Sequence, residues 1–381
     1  MNQNNNNLNY LNELVSIINN DKDAKEFYLQ NKDKFLVVSP FDVFSITEFQ
    51  NDKLEISRIK DIAGKIVNLL RTGLLAFDWN KNISLIQKLL NEANKIREKF
   101  NELKEYIKAK DFLKLRNNLD IVDELKKRFL KMQNVIFTVL EKKNINNKPL
   151  KVMWSLQDEV LIIHKKLLDE LNNNSRNINI TIGKYFFLVL GILEKEELFI
   201  LPILSNVLKI SEFEKIEKEI DSYGYAFISD AKEVSDEYNI SKSEEYLFES
   251  KSGKLNLDEL ISILSCVGDI TFVDNNNKVK FFNTPHQHFA RSSSIIGRDV
   301  RNCHPEKSIH IVEEIIAKFR NGNEDRVDFW INIKGKLILI SYFAIRNKEN
   351  KYLGVLELTQ DITDITKITG EKRILDFNSK K

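Results

Sequence analysis

The chain has 381 residues, 42% hydrophobic and 30% charged, which is too much chain for one ordinary core and enough apolar surface for two or three. Its 58 basic and 56 acidic side chains nearly cancel, and no basic cluster is interleaved with aromatics, so neither nucleic acid nor an anionic membrane surface is an expected partner. Two cysteines, Cys266 and Cys303, exclude a disulfide framework. The polar start MNQNNNN is unlike a secretory leader, and the most apolar run, Tyr185 to Leu193, is too short for a membrane span; the expectation is a cytoplasmic protein.

From Leu8 to Leu75 the pattern predicts a small helical domain. Leu8, Leu11, Leu14, Val15 and Ile18 recur at spacings of three and four, one face of a helix. Ser39-Pro40 with Asp42 behind it reads as a helix start, and Ile56, Ile59, Ile62, Ile66, Leu69 and Leu70 form a second stripe. Residues 76–228 hold long helical stretches at Ile83–Tyr106, Phe112–Glu141, Leu156–Leu171 and Ile180–Val207, with a shorter one at Glu212–Tyr223. Apolar stripes and short polar connectors there predict an up-down four-helix bundle. Residues 229–255, rich in Ser, Glu and Lys, read as a hinge or exposed helical linker.

Residues 256–365 change character. Ile270–Asp274 and Val279–Asn283 flank the turn 275–278 as a hairpin. Helical segments follow through Phe319, then strands at Val327–Ile333, Leu337–Arg346 and Tyr352–Gln360, with a turn at Lys334-Gly335. Hairpins at each end with helices between them give a five-stranded antiparallel sheet covered on one face by helices. Residues 366–381 form a tail, in which Ile365–Phe377 is expected to be a short amphipathic helix.

That order, with Gly297-Arg298, Cys303-His304-Pro305 and the closing Gln360-Asp361-Ile362-Thr363, resembles a PAS domain. With FLVVSPFD, KPLKVMWSLQDEV and LEKEELFILP upstream, the chain as a whole resembles a prokaryotic family that fuses a helical domain of unknown function, a hemerythrin-like HHE bundle and a PAS domain. The resemblance implies two irons held in the bundle by imidazoles and carboxylates. In the matching string RFLKMQNVIFT, however, the family's ligand His is Arg128, its Glu is Gln133 and its Pro is Thr138. A guanidinium has no lone pair for a metal, and no histidine precedes His164, so an occupied di-iron centre is not expected.

Asp158, Glu159, Glu196 and Glu197 persist at family positions. Asp158, Glu159 and Glu197 are residual metal candidates, while Glu196 is expected to be a solvated helix charge. An inward Arg128 needs a counter-charge, and Glu197 or Glu159 is the expected partner, an ion pair standing where the irons would be. In the PAS module, the resemblance points to His304 and His310, and less directly Cys303, as cofactor-binding candidates; haem is the one cofactor they would suit. His286-Gln287-His288 is a weak metal pattern better read as rim residues. No phosphate loop, nucleophile frame or output enzyme is recognisable. The sequence therefore reads as a sensor rather than an enzyme: a small-molecule ligand in the PAS cavity, and a protein partner or a second copy on the helical surfaces. Iron-dependent handling of O₂ or NO, and haem-based sensing, are the alternatives.

Overall fold

The computed structural model describes residues 2–20, 22–46, 55–173, 175, 177–228, 248–250, 253–283, 285–286 and 288–371. The chain forms two compact units, a helical one and a C-terminal one built on a sheet.

The helical unit opens with α1 (Asn2–Asn19), the short helices α2 (Lys25–Gln30), α3 (Lys32–Phe35) and α4 (Pro40–Phe44), and the long α5 (Ile56–Ala76). Helix α4 starts where Ser39-Pro40 predicts. The Ser39 hydroxyl accepts from the Asp42 N–H at 3.2 Å, and the Asp42 carboxylate accepts from the Ser39 N–H at 2.8 Å. This reciprocal cap satisfies two backbone donors that the first turn cannot. Both apolar stripes read from the sequence are buried: Leu11, Leu14, Val15 and Ile18 on α1, and Ile59, Ile62, Ile66 and Leu70 on α5.

Four long helical stretches follow. They are α6 (Ser84–Lys108); α8 (Ile121–Lys131) continuing into α9 (Phe137–Lys142); α10 (Asn147–Asn172); and α11 (Ile178–Lys195) continuing into α12 (Leu201–Val207). Short connectors make them antiparallel neighbours. Two features differ from the sequence expectation. The stretch beginning at Phe112 breaks, so that α7 (Phe112–Asn117) is separate from α8, and α10 begins at Asn147, nine residues before the apolar stripe that announces it. Both long interrupted stretches also contain a π-helical turn, at Met132–Ile136 and Glu196–Ile200. Helix α13 (Ile210–Asp221) ends the unit, and one continuous apolar core runs from Leu11 to Ala226.

In the C-terminal unit, β1 (Phe248–Ser250) pairs with β2 (Gly253–Leu255) as a small hairpin within the segment read as a hinge or exposed helical linker. The rest of that linker, 229–247, 251 and 252, and the tail from 372 onward lie outside the described residues. Helix α14 (Leu257–Val267) is capped by Asn256 and Glu259 and has no buried residue. Strands β3 (Asp269–Asp274), β4 (Val279–Asn283), β5 (Arg326–Ile333), β6 (Lys336–Arg346) and β7 (Tyr352–Asp361) form an antiparallel sheet in the order β4-β3-β7-β6-β5. Helix α15 (Glu306–Asn321) lies between its two hairpins in sequence. Lys334 (φ 49°) and Gly335 (φ 80°) make the two-residue turn that matches the strand twist of β5 and β6.

Two glycines on α5 have opposite surroundings. A Cβ on Gly73 would stand 2.3 Å from the Phe35 carbonyl oxygen, whereas one on Gly64 would meet nothing within 4 Å. Gly64→Ala is therefore expected to raise stability by about 0.5–1 kcal/mol, and Gly73→Ala to lower it by about 1–3 kcal/mol despite alanine's better helix propensity. Urea unfolding of the two variants checks the opposite signs.

Candidate functional site

Inside the bundle, Arg128 points inward and is fully buried. Its partners are not the carboxylates the sequence suggests. The guanidinium Nε donates to Glu196 Oε2 at 2.8 Å, and Nη1 donates to Glu92 Oε2 at 2.7 Å and to the Leu89 carbonyl at 3.0 Å. Three residues further along α8, on the same helix face, buried Lys131 donates to Glu92 Oε1 and to the Gly224 carbonyl, both at 2.6 Å, and its ammonium lies 4.3 Å from the Tyr225 ring centre. The Ala226 N–H completes Glu92 at 2.7 Å. Two cations and two carboxylates thus form one neutral buried cluster that ties together α6, α8, the second π-turn and residues 224–226.

Burial works against the Arg128 charge, but Glu196 and Glu92 outweigh it and hold its pKa above the usual value. Burial pushes the Glu196 carboxyl up against the pull of Arg128, and it brings the Lys131 ammonium down to about 8, with Glu92 opposing. The expectation that Glu196 is solvated is corrected here. Its neighbour Glu197 turns outward instead and pairs with Arg97 at 2.6 Å. Glu159 bridges Lys60 at 2.7 Å and Lys184 at 3.0 Å, so neither Glu197 nor Glu159 neutralises Arg128. Asp158 is half-buried, and burial raises its pKa.

The remaining bundle positions do not fit a metal either. Gln133 donates to Gln157 at 2.9 Å, and His164 Nε2 lies 2.8 Å from the Leu119 carbonyl with its pKa lowered by burial. Among the described residues, no group of three or more His, Cys, Asp or Glu side chains is arranged to hold a metal ion. The two buried carboxylates, Glu92 and Glu196, are taken up by Arg128 and Lys131, cations with no lone pair to offer a metal.

The second candidate site is the inner face of the sheet. Thr271 on β3, Glu357 on β7 and Tyr342 on β6 are direct cross-strand neighbours, a polar row across three strands. Arg291 reaches Glu357 from the segment after β4. Burial, together with Glu357, holds the Tyr342 phenol above its ordinary range. In the next row lies Thr359. The Thr271 and Thr359 hydroxyls and the Arg291 Nε are buried with no hydrogen-bond partner. Beside this row, Phe329 stacks edge-on to Tyr342 at 6.0 Å while staying 38% exposed, so the face remains open along β5.

The histidines and the cysteine make local contacts. His304 Nδ1 lies 2.9 Å from the Val300 carbonyl at the entry to α15, the Cys303 thiol is 3.7 Å from the Asp299 carbonyl, and His310 is exposed on α15. The backbone N–H groups of His286 and His288 donate to the two oxygens of buried Asp269 at 2.8 Å each, a structural use of that segment. The Gln360–Thr363 motif also acts locally. Gln360 donates to the Val267 carbonyl at the end of α14. The Thr363 hydroxyl donates to Asp361 at 2.6 Å and holds that carboxyl down to about 2.

A sheet of this strand order, hairpin-helices-hairpin in sequence, is the fold of a PAS domain, a class of module with sensory or regulatory roles. Residues 263–363 match the family described as PAS domain, and this part of the chain is one. Among solved structures, the C-terminal domain of a Streptococcus mutans protein is 29% identical, covering 32% of this chain and 96% of that one, with a TM-score of 0.31. The PAS domain of a Colwellia psychrerythraea protein is 19% identical, covering 28% of this chain and 98% of that one, with a TM-score of 0.22. No curated protein matches the chain.

Removing Arg128 alone leaves Glu196 buried without its cation. Arg128→Met is expected to cost about 3–5 kcal/mol, and Arg128→Met with Glu196→Leu to recover most of that loss, measured by denaturant unfolding. The pH dependence has a definite sign. Because the folded state depresses the Lys131 pKa from 10.5 to about 8, the unfolded chain binds more protons between those values, and stability rises with pH across that window. Relative to Lys131→Met, the wild type is expected to gain up to about 3 kcal/mol as pH rises from 8 to 10.5, to lose it as pH falls back across that window, and to change little below 8.

Proposed function

We propose that the chain is a PAS-type sensor or regulatory protein. Its C-terminal module binds a small molecule against the inner sheet face and signals by protein association. The observation that carries this reading is the pair of buried hydroxyls, Thr271 and Thr359 in adjacent rows, and the Arg291 Nε left without partners beside an open, aromatic-lined edge. Buried polar groups are nearly always satisfied, so such a set is expected to find its partner in a ligand. Arg291 and Glu357 neutralise each other, which favours a ligand with little net charge and an oxygen acceptor for the Arg291 N–H.

Association has a matching surface. Helix α14 leaves Ile263 at 49% and Val267 at 45% exposure, and Trp330 on edge strand β5 is 67% exposed. An amphipathic helix with no buried residue and a bare sheet edge fit a second copy of the module. The helical unit, in this reading, is a hemerythrin-like bundle in which the ion cluster around Arg128 has replaced the metal. The role is regulatory rather than catalytic, and it belongs inside the cell. Among the described residues, no helix is long and apolar enough to cross a membrane.

Native mass spectrometry of the full chain purified from cells tests the ligand. A non-covalent adduct is expected in the wild type and about tenfold less of it after Thr271→Val with Thr359→Val, isosteric changes that remove two unsatisfied hydroxyls. A bare chain mass in the wild type, or an adduct indifferent to both changes, would overturn the reading. In sedimentation velocity, Ile263→Glu is expected to shift a dimer towards monomer.

A further inference from the structure

A cleft independent of the sheet lies in the helical unit. It opens between the end of α5, the loop to α6, α6 itself and α11, with a volume of about 450 Å³, a size that suits a small organic ligand. Its walls carry four cations, Arg71, Arg97, Lys81 and Lys104, but only two carboxylates, Glu194 and Glu197. Those carboxylates are already committed, Glu194 to Arg71 and Glu197 to Arg97, each at 2.6 Å. The surplus is therefore carried by the two lysines. Lys104 reaches only the Asn101 amide oxygen, at 3.1 Å, and Lys81 stands 5.2 Å from the Trp79 ring centre. Between these charges the lining is apolar: Trp79 is half-buried, and Leu75 is 58% exposed.

We infer that this cleft binds a phosphate monoester carrying a flat apolar group, of which a nucleoside monophosphate is the plainest case. The surplus of two positive charges matches the charge of about −1.5 to −2 on a phosphate monoester at neutral pH. The Trp79 face and the leucines take the ring, and a base has a face for an aromatic to stack on. The Arg–Glu pairs set the walls rather than the charge, because each is internally neutral.

Isothermal titration of the full chain with adenosine monophosphate tests the site. Binding is expected, with adenosine and inorganic phosphate each at least about tenfold weaker, since each lacks one half of the recognition. Trp79→Leu is expected to weaken the nucleotide about tenfold, and Lys81→Ala and Lys104→Ala each about fivefold, with a smaller penalty at high salt. The two lysines are exposed, so their removal leaves the fold intact. Three results would each overturn the inference: no binding at about 1 mM ligand, affinity unchanged in all three variants, or succinate binding as tightly as the nucleotide. Since no residue of the cleft belongs to the PAS module, Thr271→Val with Thr359→Val is expected to leave this titration untouched, which separates failure here from failure of the sensor reading.

Discussion

The helical unit turns on the burial of one guanidinium. An arginine with no exposure, in a core of Leu, Ile and Phe, is tolerable only if its charge is met at hydrogen-bond distance, and Arg128 is met twice, by Glu92 and Glu196. Adding Lys131 restores neutrality and draws in the backbone of residues 224–226. Such a cluster contributes little net stability compared with an apolar core of the same shape. What it supplies is directional: only one arrangement of α6, α8 and α11 brings all four charged groups together, whereas apolar stripes tolerate sliding.

The sheet unit has the opposite character. Its polar inner row is only partly satisfied, and one edge of its inner face stays open to solvent. The bundle has closed its polar interior with its own side chains, while the PAS module leaves hydroxyls and an N–H for something else to meet. That contrast is why the proposed ligand site is put in the C-terminal unit.

Much of this was legible in the chain. Period-3.6 stripes marked the helices, turn signals marked off the five strands, and Lys334-Gly335 and Ser39-Pro40 fell where turn and cap chemistry require. The inward turn of Arg128 was expected through the family resemblance, which puts a metal ligand at that position. Its partners did not follow. Glu92 stands at a core spacing, three residues after Leu89 and one before Ala93, and that position is a signal the sequence offers to a reader who asks why a carboxylate sits in the stripe. Glu196 carries the same kind of signal, four residues after buried Ile192 and seven after buried Val189 on α11. The inner row of the sheet was readable in part, since Glu357 alternates in step with buried Val355 and Thr359. That Thr271 and Thr359 lack partners depends on what covers the face, which no strand pattern records.

The two π-turns have a consequence for how this chain can vary. Each accommodates one residue more than an α-helix would use over the same rise, advancing the angular phase of everything after it by roughly 100°. Loss of a single residue within Met132–Ile136 would therefore not shorten α9 so much as rotate it, carrying buried Phe137 and Leu140 towards the surface. The same loss within Glu196–Ile200 would rotate α12, carrying buried Leu201 and Leu204 towards the surface. Length in these two segments is thus constrained more tightly than identity: side chains can be traded across the bundle, but the residue count between its two halves has to be kept.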